Sequence, residues 1–91
     1  MIAGVTEMED EEYLKQFMYL DLTIKIEWDK LPKCLQTDFG ILKEYYDKND
    51  VALFSSYEES TESTIKMCVL NGSIDRATGI KLFNVLGIYN D

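Results

Sequence analysis

The sequence predicts an all-α fold, a compact bundle of about four helices in a single domain of residues 1–91. Three observations support this fold class. Apolar residues recur every three or four positions over long stretches. Residues typical of helix starts and stops separate those stretches. The chain is 46% hydrophobic, which is enough to fill one modest core. Residues 1–6 carry no pattern, and we expect them to be disordered.

The first helix is expected from about Glu7 to Lys30. Carboxylates at its start suit the positive end of a helix dipole. Residues 20–28 also alternate between apolar and polar, as a half-buried strand does, which leaves open an α+β fold with a strand at 20–28 but no evident partner strand. The helical alternative rests on an apolar stripe with one residue per turn: Tyr13, Phe17, Leu20, Ile24 and Trp28.

The second helix is expected to begin after Pro32, because proline ends the preceding helix and suits a first turn. Its apolar stripe runs from Leu35 to Tyr46 and stops at the polar residues Asp47–Asp50. Gly40 lies inside this helix at a cost of about 1 kcal/mol relative to alanine. We therefore expect another helix to pass close to Gly40.

The third helix is expected over Val51–Leu70, with Asp50 or Asn49 as its cap and Asn71-Gly72 as its end. The stretch Glu58–Thr64 is rich in serine and threonine, whose hydroxyls compete for backbone hydrogen bonds. A break into two shorter helices at this stretch is therefore an open alternative.

The last helix is expected over Ile74–Leu86. Ser73 is its predicted cap, and Gly87 is its predicted stop because glycine readily adopts the left-handed conformation after a helix. No internal repeat or long linker interrupts the chain.

The charge balance limits the class of partner. Asp and Glu outnumber Lys and Arg by 17 to 9, which gives a net charge of −8. Direct binding to nucleic acid or to an anionic membrane is therefore disfavoured, and we expect another protein, such as a basic one, or a homodimer. The chain has no long apolar run and no signal-like start, so we expect no membrane association and a cytoplasmic location.

The residue types present argue against enzymatic chemistry. The chain has no histidine and only two cysteines, Cys34 and Cys68, which we expect to be buried free thiols. No phosphate-binding loop, zinc-protease motif or nucleophile elbow occurs. We therefore expect a protein that is not an enzyme and has no cofactor.

One segment resembles a degenerate calcium-binding EF-hand loop. Asp47, Asn49 and Glu58 would stand at ligand positions one, three and twelve of such a loop. However, Val51 lacks a side-chain oxygen at position five, and Ala52 replaces the glycine at position six. The segment is therefore a weak calcium candidate, and a corner between two helices explains it better.

The number of aromatic residues exceeds what a core of this size needs, and tyrosine anchors many interfaces. We therefore predict a non-enzymatic, acidic protein-interaction module, accessory or regulatory, that uses an aromatic patch. One alternative is an acidic nucleic-acid mimic that inhibits a DNA- or RNA-handling protein, and another is a weak calcium module. The predicted partner-binding residues are Tyr19, Tyr45, Tyr46, Glu58, Glu59 and Glu62.

Overall fold

A computed structural model describes residues 13–88, and this part of the chain contains helices and no β-strand. The predicted all-α bundle is confirmed. The expected disorder of residues 1–6 lies outside the described residues. After helical residues 13–15, the elements are a 3₁₀ turn at Trp28–Lys30 and the helices α1 (Lys33–Asp47), α2 (Val51–Leu70) and α3 (Arg76–Val85).

The core lies between α2 and its two neighbours, because α2 packs against both α1 and α3. Each helix contributes aliphatic or aromatic side chains from one face, as the helical spacing predicts. Residues that are at most 1% exposed come from all three helices: Leu35 and Leu42, Phe54 and Ile65, and Leu82.

The predicted first helix is wrong beyond residue 15. Residues 16–27 form turns and irregular backbone rather than a helix. Tertiary contact holds this segment, since the Asp21 N–H donates to the Val85 carbonyl at 2.9 Å. The part of the predicted helix that precedes residue 13 lies outside the described residues.

The alternative strand at 20–28 is also wrong, although its alternating pattern has a structural cause. Most apolar residues of this segment pack against the core from backbone that forms no strand in residues 13–88. Leu22, within the same pattern, is 42% exposed. The side chains that pack partly buried against the core are Leu20, Ile24, Ile26 and Trp28.

The predicted bounds of α1 and α2 agree with the structure. Pro32 directly precedes α1. Only residues 48–50 separate the two helices, and Asn49 turns the chain there with a left-handed φ of 58°. The Asp50 carboxylate caps α2 by accepting from the Leu53 N–H at 3.2 Å.

The possible break in α2 does not occur. The hydroxyls of Thr61 and Thr64 donate to carbonyls of the same helix and do not displace its backbone hydrogen bonds. Thr61 Oγ1 donates to the Tyr57 carbonyl and Thr64 Oγ1 donates to the Ser60 carbonyl, both at 3.0 Å. These bonds to the residue one turn earlier leave the helical ladder intact. Thr61 can therefore be completely buried in the core.

The predicted cap of the last helix is wrong. Asp75, not Ser73, caps α3 and accepts from the Thr78 N–H at 2.7 Å. The Ser73 N–H donates instead to Asn71 Oδ1 in the turn that follows α2. The Asp75 carboxylate, two residues farther along the chain, therefore caps the helix, because Ser73 is already hydrogen-bonded in the turn.

The close helix approach predicted at Gly40 is also wrong, and it occurs at another glycine. A Cβ atom on Gly40 would have no atom within 4 Å, apart from its two chain neighbours and the backbone of its own helix. A Cβ on Gly79, by contrast, would lie 2.6 Å from Val69 Cγ2. The missing side chain of Gly79 thus allows α2 and α3 to approach closely.

These two glycines form a matched pair for a stability test. We expect Gly40→Ala to stabilise the fold by about 1 kcal/mol, which raises Tm by roughly 4–8 °C, because the methyl group enters open space and improves helix propensity. Gly79→Ala gains the same propensity but forces Val69 to move, so we expect it to lower Tm. Thermal unfolding followed by circular dichroism measures both. Equal stabilisation by the two variants would contradict the close contact at Gly79.

Candidate interaction surface

An apolar groove of about 400 Å³ lies between the last turns of α2 and the exposed side of α3. We call it the α2–α3 groove. Its position follows from Gly79, since Val69 packs where a side chain at this position would otherwise stand. The residues that line it are Lys66, Val69, Leu70, Arg76, Gly79, Ile80 and Phe83.

The α2–α3 groove exposes large apolar side chains. Leu70, the last residue of α2, is 82% exposed, and Ile80 on α3 is 38% exposed. Phe83 is 7% exposed and connects the groove to the core. Single exposed aliphatic residues are common on protein surfaces, but several around one concavity are typical of a binding site.

The charged residues that line the groove are both basic. Lys66 and Arg76 stand there on a chain of net charge −8. Glu62 precedes Lys66 by one turn of α2, yet the three salt bridges within residues 13–88 involve Lys30, Lys43 and Lys48 instead. The two cationic groups of the groove are thus available to a ligand.

Two residues of the predicted aromatic patch pack within the chain. The Tyr45 ring meets Tyr57 edge-on at 6.2 Å between centroids, and the Tyr46 ring packs on Phe54 at 6.1 Å. The Lys15 ammonium lies 3.6 Å from the centroid of the Tyr46 ring and also donates to the Tyr46 carbonyl. Both tyrosines are half-buried by their neighbours in the chain.

The third predicted tyrosine, Tyr19, lies against the end of α3. It is 45% exposed, and a Cβ on Gly87 would stand 2.8 Å from Tyr19 Cδ1. Gly87 has a φ of 78°, as predicted for the residue that ends the last helix. A role for Tyr19, Tyr45 and Tyr46 in partner binding stays a prediction.

The predicted acidic residues Glu58, Glu59 and Glu62 lie together in the first two-thirds of α2. Burial raises the pKa of Glu58 above its ordinary value, and the carboxylates of Glu62 and Glu59 raise it further. Glu58 and Glu62 are one turn apart, so their charges repel across one face of the helix. The cluster therefore destabilises α2 when it is fully ionised.

The three calcium candidates, Asp47, Asn49 and Glu58, lie on three different parts of the α1–α2 hairpin. Asp47 accepts a hydrogen bond from Lys43 at 2.7 Å, which lowers the pKa of the Asp47 carboxyl. Asn49 lies in the turn, whereas Glu58 lies two turns inside α2. In the part of the chain that the structure describes, no group of three His, Cys, Asp or Glu side chains is placed to hold a metal ion. A calcium site that includes Asn49 stays a prediction.

One of the two cysteines differs from the prediction that both are buried free thiols. Cys68 is buried, but Cys34 is exposed. Their sulfur atoms are 3.9 Å apart, a proximity that sequence reasoning missed. The available signal was the short turn at residues 48–50, since an antiparallel hairpin places the start of α1 beside the end of α2.

Comparison with protein-family models, with curated proteins and with solved structures finds no match to this chain. In residues 13–88, no helix is both long and apolar enough to cross a membrane. The predicted cytoplasmic location stays a prediction.

Ionisation of Glu58 provides a pH-dependent test of α2. A raised pKa in the folded state means that protonated Glu58 favours folding and that this contribution is lost as pH rises through the folded-state pKa. We expect Glu58→Gln to raise Tm at pH 7 by about 2–4 °C, from roughly 0.5 kcal/mol of relieved repulsion. This gain disappears at about pH 4, where the carboxylate of the native chain is protonated.

Scanning calorimetry at the two pH values measures the effect. Glu59→Gln is the matched control, because Glu59 is exposed and its charge raises the Glu58 pKa less than burial or Glu62 does. A smaller gain is expected for this control. A Glu58→Gln variant that is less stable than the native chain at pH 7 would show that Glu58 makes a favourable charged contact instead.

Proposed function

We propose that this chain is a non-enzymatic protein-interaction module that binds an acidic, amphipathic segment of another protein in the α2–α3 groove. One observation carries the proposal. An apolar groove with exposed Leu70 and Ile80 is flanked by Lys66 and Arg76, two cations without a salt bridge in residues 13–88.

The chemistry of the groove defines the ligand. Apolar side chains at i, i+3 or i+4 of a partner helix would cover Leu70 and Ile80, as in other helix-in-groove complexes. Asp or Glu residues on that helix would pair with Lys66 and Arg76. Because the groove is only about 400 Å³, we expect a small interface.

A second copy of the chain is a poorer occupant of the groove. A two-fold interface places the same patch on both sides. It would therefore bring two copies of Lys66 and Arg76 together, and each copy carries a net charge of −8. A separate partner with an acidic segment avoids both repulsions.

This proposal replaces the aromatic patch as the main binding surface and keeps an accessory or regulatory role. A basic partner, or mimicry of nucleic acid, would instead use Glu58, Glu59 and Glu62. That interpretation depends on an acidic cluster alone and stays a prediction.

A peptide library tests the proposal directly, because it samples many candidate segments at once. Random 16-residue peptides displayed on phage are selected on the full chain, and the selected peptides are then compared on the native chain and on the double variant Leu70→Gln/Ile80→Gln. We expect the enriched peptides to combine Asp or Glu with apolar residues at helical spacing. Isothermal titration calorimetry with a selected peptide should show binding at least about tenfold weaker in the double variant, since buried aliphatic anchors contribute more than 1 kcal/mol each.

Matched controls separate the groove from general surface effects. Leu53→Gln alters an exposed leucine at the opposite end of α2 and should leave peptide affinity unchanged. The double variant Lys66→Gln/Arg76→Gln should weaken binding at low salt more than Lys33→Gln/Lys81→Gln, which changes the net charge equally.

Three outcomes would overturn the proposal. Selected peptides could bind the Leu70→Gln/Ile80→Gln variant as tightly as the native chain. The peptides could lack acidic residues and bind independently of Lys66 and Arg76. Light scattering could show a dimer of the native chain that the same double variant dissociates, which would make a second copy the occupant.

A further inference from the structure

We propose that Cys34 and Cys68 are a redox modification site, at which a peroxide converts the two thiols into a reversible disulfide within the chain. Cys34 lies in the first turn of α1 and Cys68 in the last turn of α2. Their sulfurs are 3.9 Å apart. A disulfide bond measures about 2.05 Å, so its formation requires the two sulfurs to approach further through side-chain rotation and a movement of the two helix ends.

The different exposure of the two thiols assigns their roles. Cys34 is exposed and can meet an oxidant, whereas Cys68 is 4% exposed and faces Cys34 from the core. Burial raises the pKa of the Cys68 thiol, and its contact with Cys34 raises it further. Cys34 is therefore the sulfur that reacts first, and Cys68 is the resolving thiol.

The reaction balances with hydrogen peroxide as the oxidant. The Cys34 sulfur attacks one peroxide oxygen, the O–O bond breaks, and Cys34 sulfenic acid and one water form. The Cys68 sulfur then attacks the sulfenic sulfur, loses its proton and releases a second water as the S–S bond forms. Two thiols are oxidised by two electrons, and one peroxide is reduced to two waters; dithiothreitol reverses the change.

The disulfide would cross-link the end of the α1–α2 hairpin that lies away from the turn, where α1 begins and α2 ends. The turn at residues 48–50 already joins the other end, so both ends of the helix pair would then be fixed. The bond closes the loop from Cys34 to Cys68, and cross-links of this kind restrict the unfolded chain. The inference is independent of any partner in the α2–α3 groove.

Intact-mass spectrometry of the full chain tests the site. The reduced protein is treated with equimolar hydrogen peroxide, unfolded, and alkylated with iodoacetamide. We expect a monomer whose mass has fallen by about 2 Da, the two hydrogens lost, with neither cysteine alkylated. Its Tm should rise by about 10 °C and return to the reduced value with dithiothreitol.

Single variants supply the controls. In Cys68→Ser, the exposed Cys34 should accumulate oxygen or form a disulfide-linked dimer, because no resolving thiol remains. In Cys34→Ser, the buried Cys68 should stay reduced and open to alkylation only after unfolding. The proposal is overturned if the native chain gains oxygen atoms at Cys34 while Cys68 remains alkylatable, or if it yields only disulfide-linked dimers.

Discussion

The packing of α2 against both α1 and α3 is the interaction on which the rest of the structure depends. α2 can occupy this position because the polar side chains on its packed faces form hydrogen bonds within the protein. Buried Thr61 donates to the Tyr57 carbonyl, and the Tyr57 hydroxyl donates to Asp38 Oδ1 on α1 at 3.1 Å. Desolvation and this hydrogen bond raise the pKa of Tyr57, so the phenol remains a donor. One helix therefore positions both candidate surfaces, the acidic cluster in its middle and the groove at its end.

The three-residue turn at 48–50 determines which side chains α1 and α2 bring together. Because the helices run antiparallel from that turn, residues near it pair with each other, as Tyr46 does with Phe54. Residues far from it pair in the same way, as Cys34 does with Cys68. Two of the aromatic residues that were surplus in the sequence, Tyr45 and Tyr46, pack on rings of α2 toward the turn end of this hairpin. A bundle of this size has few buried positions, and partly buried rings close its edges.

Sequence reasoning succeeded where periodicity and terminal residues agreed. Pro32 and the polar turn fixed the limits of α1, and Asp50 fixed the start of α2. It failed in residues 16–27, where helical and alternating patterns overlap and the segment is held by tertiary contacts, among them the hydrogen bond from the Asp21 N–H to the Val85 carbonyl. The α2–α3 groove could not be predicted from the sequence either. The groove depends on Gly79 standing beside Val69, a contact between residues whose spacing in the sequence carries no signal.

The net charge of −8 favours a basic partner, whereas the basic groove favours an acidic one. Which of the two charges matters more depends on how far the protein's carboxylates lie from the bound partner. At physiological ionic strength, charges separated by more than about 8 Å are largely screened. A carboxylate bound between Lys66 and Arg76 would therefore interact mainly with these two cations and with the carboxylates next to them in the helices, Glu62 one turn from Lys66 and Asp75 beside Arg76. The remaining carboxylates slow the approach of an acidic protein more than they weaken the complex. Net charge is thus a guide to encounter and solubility, whereas the side chains that line the groove decide what binds in it.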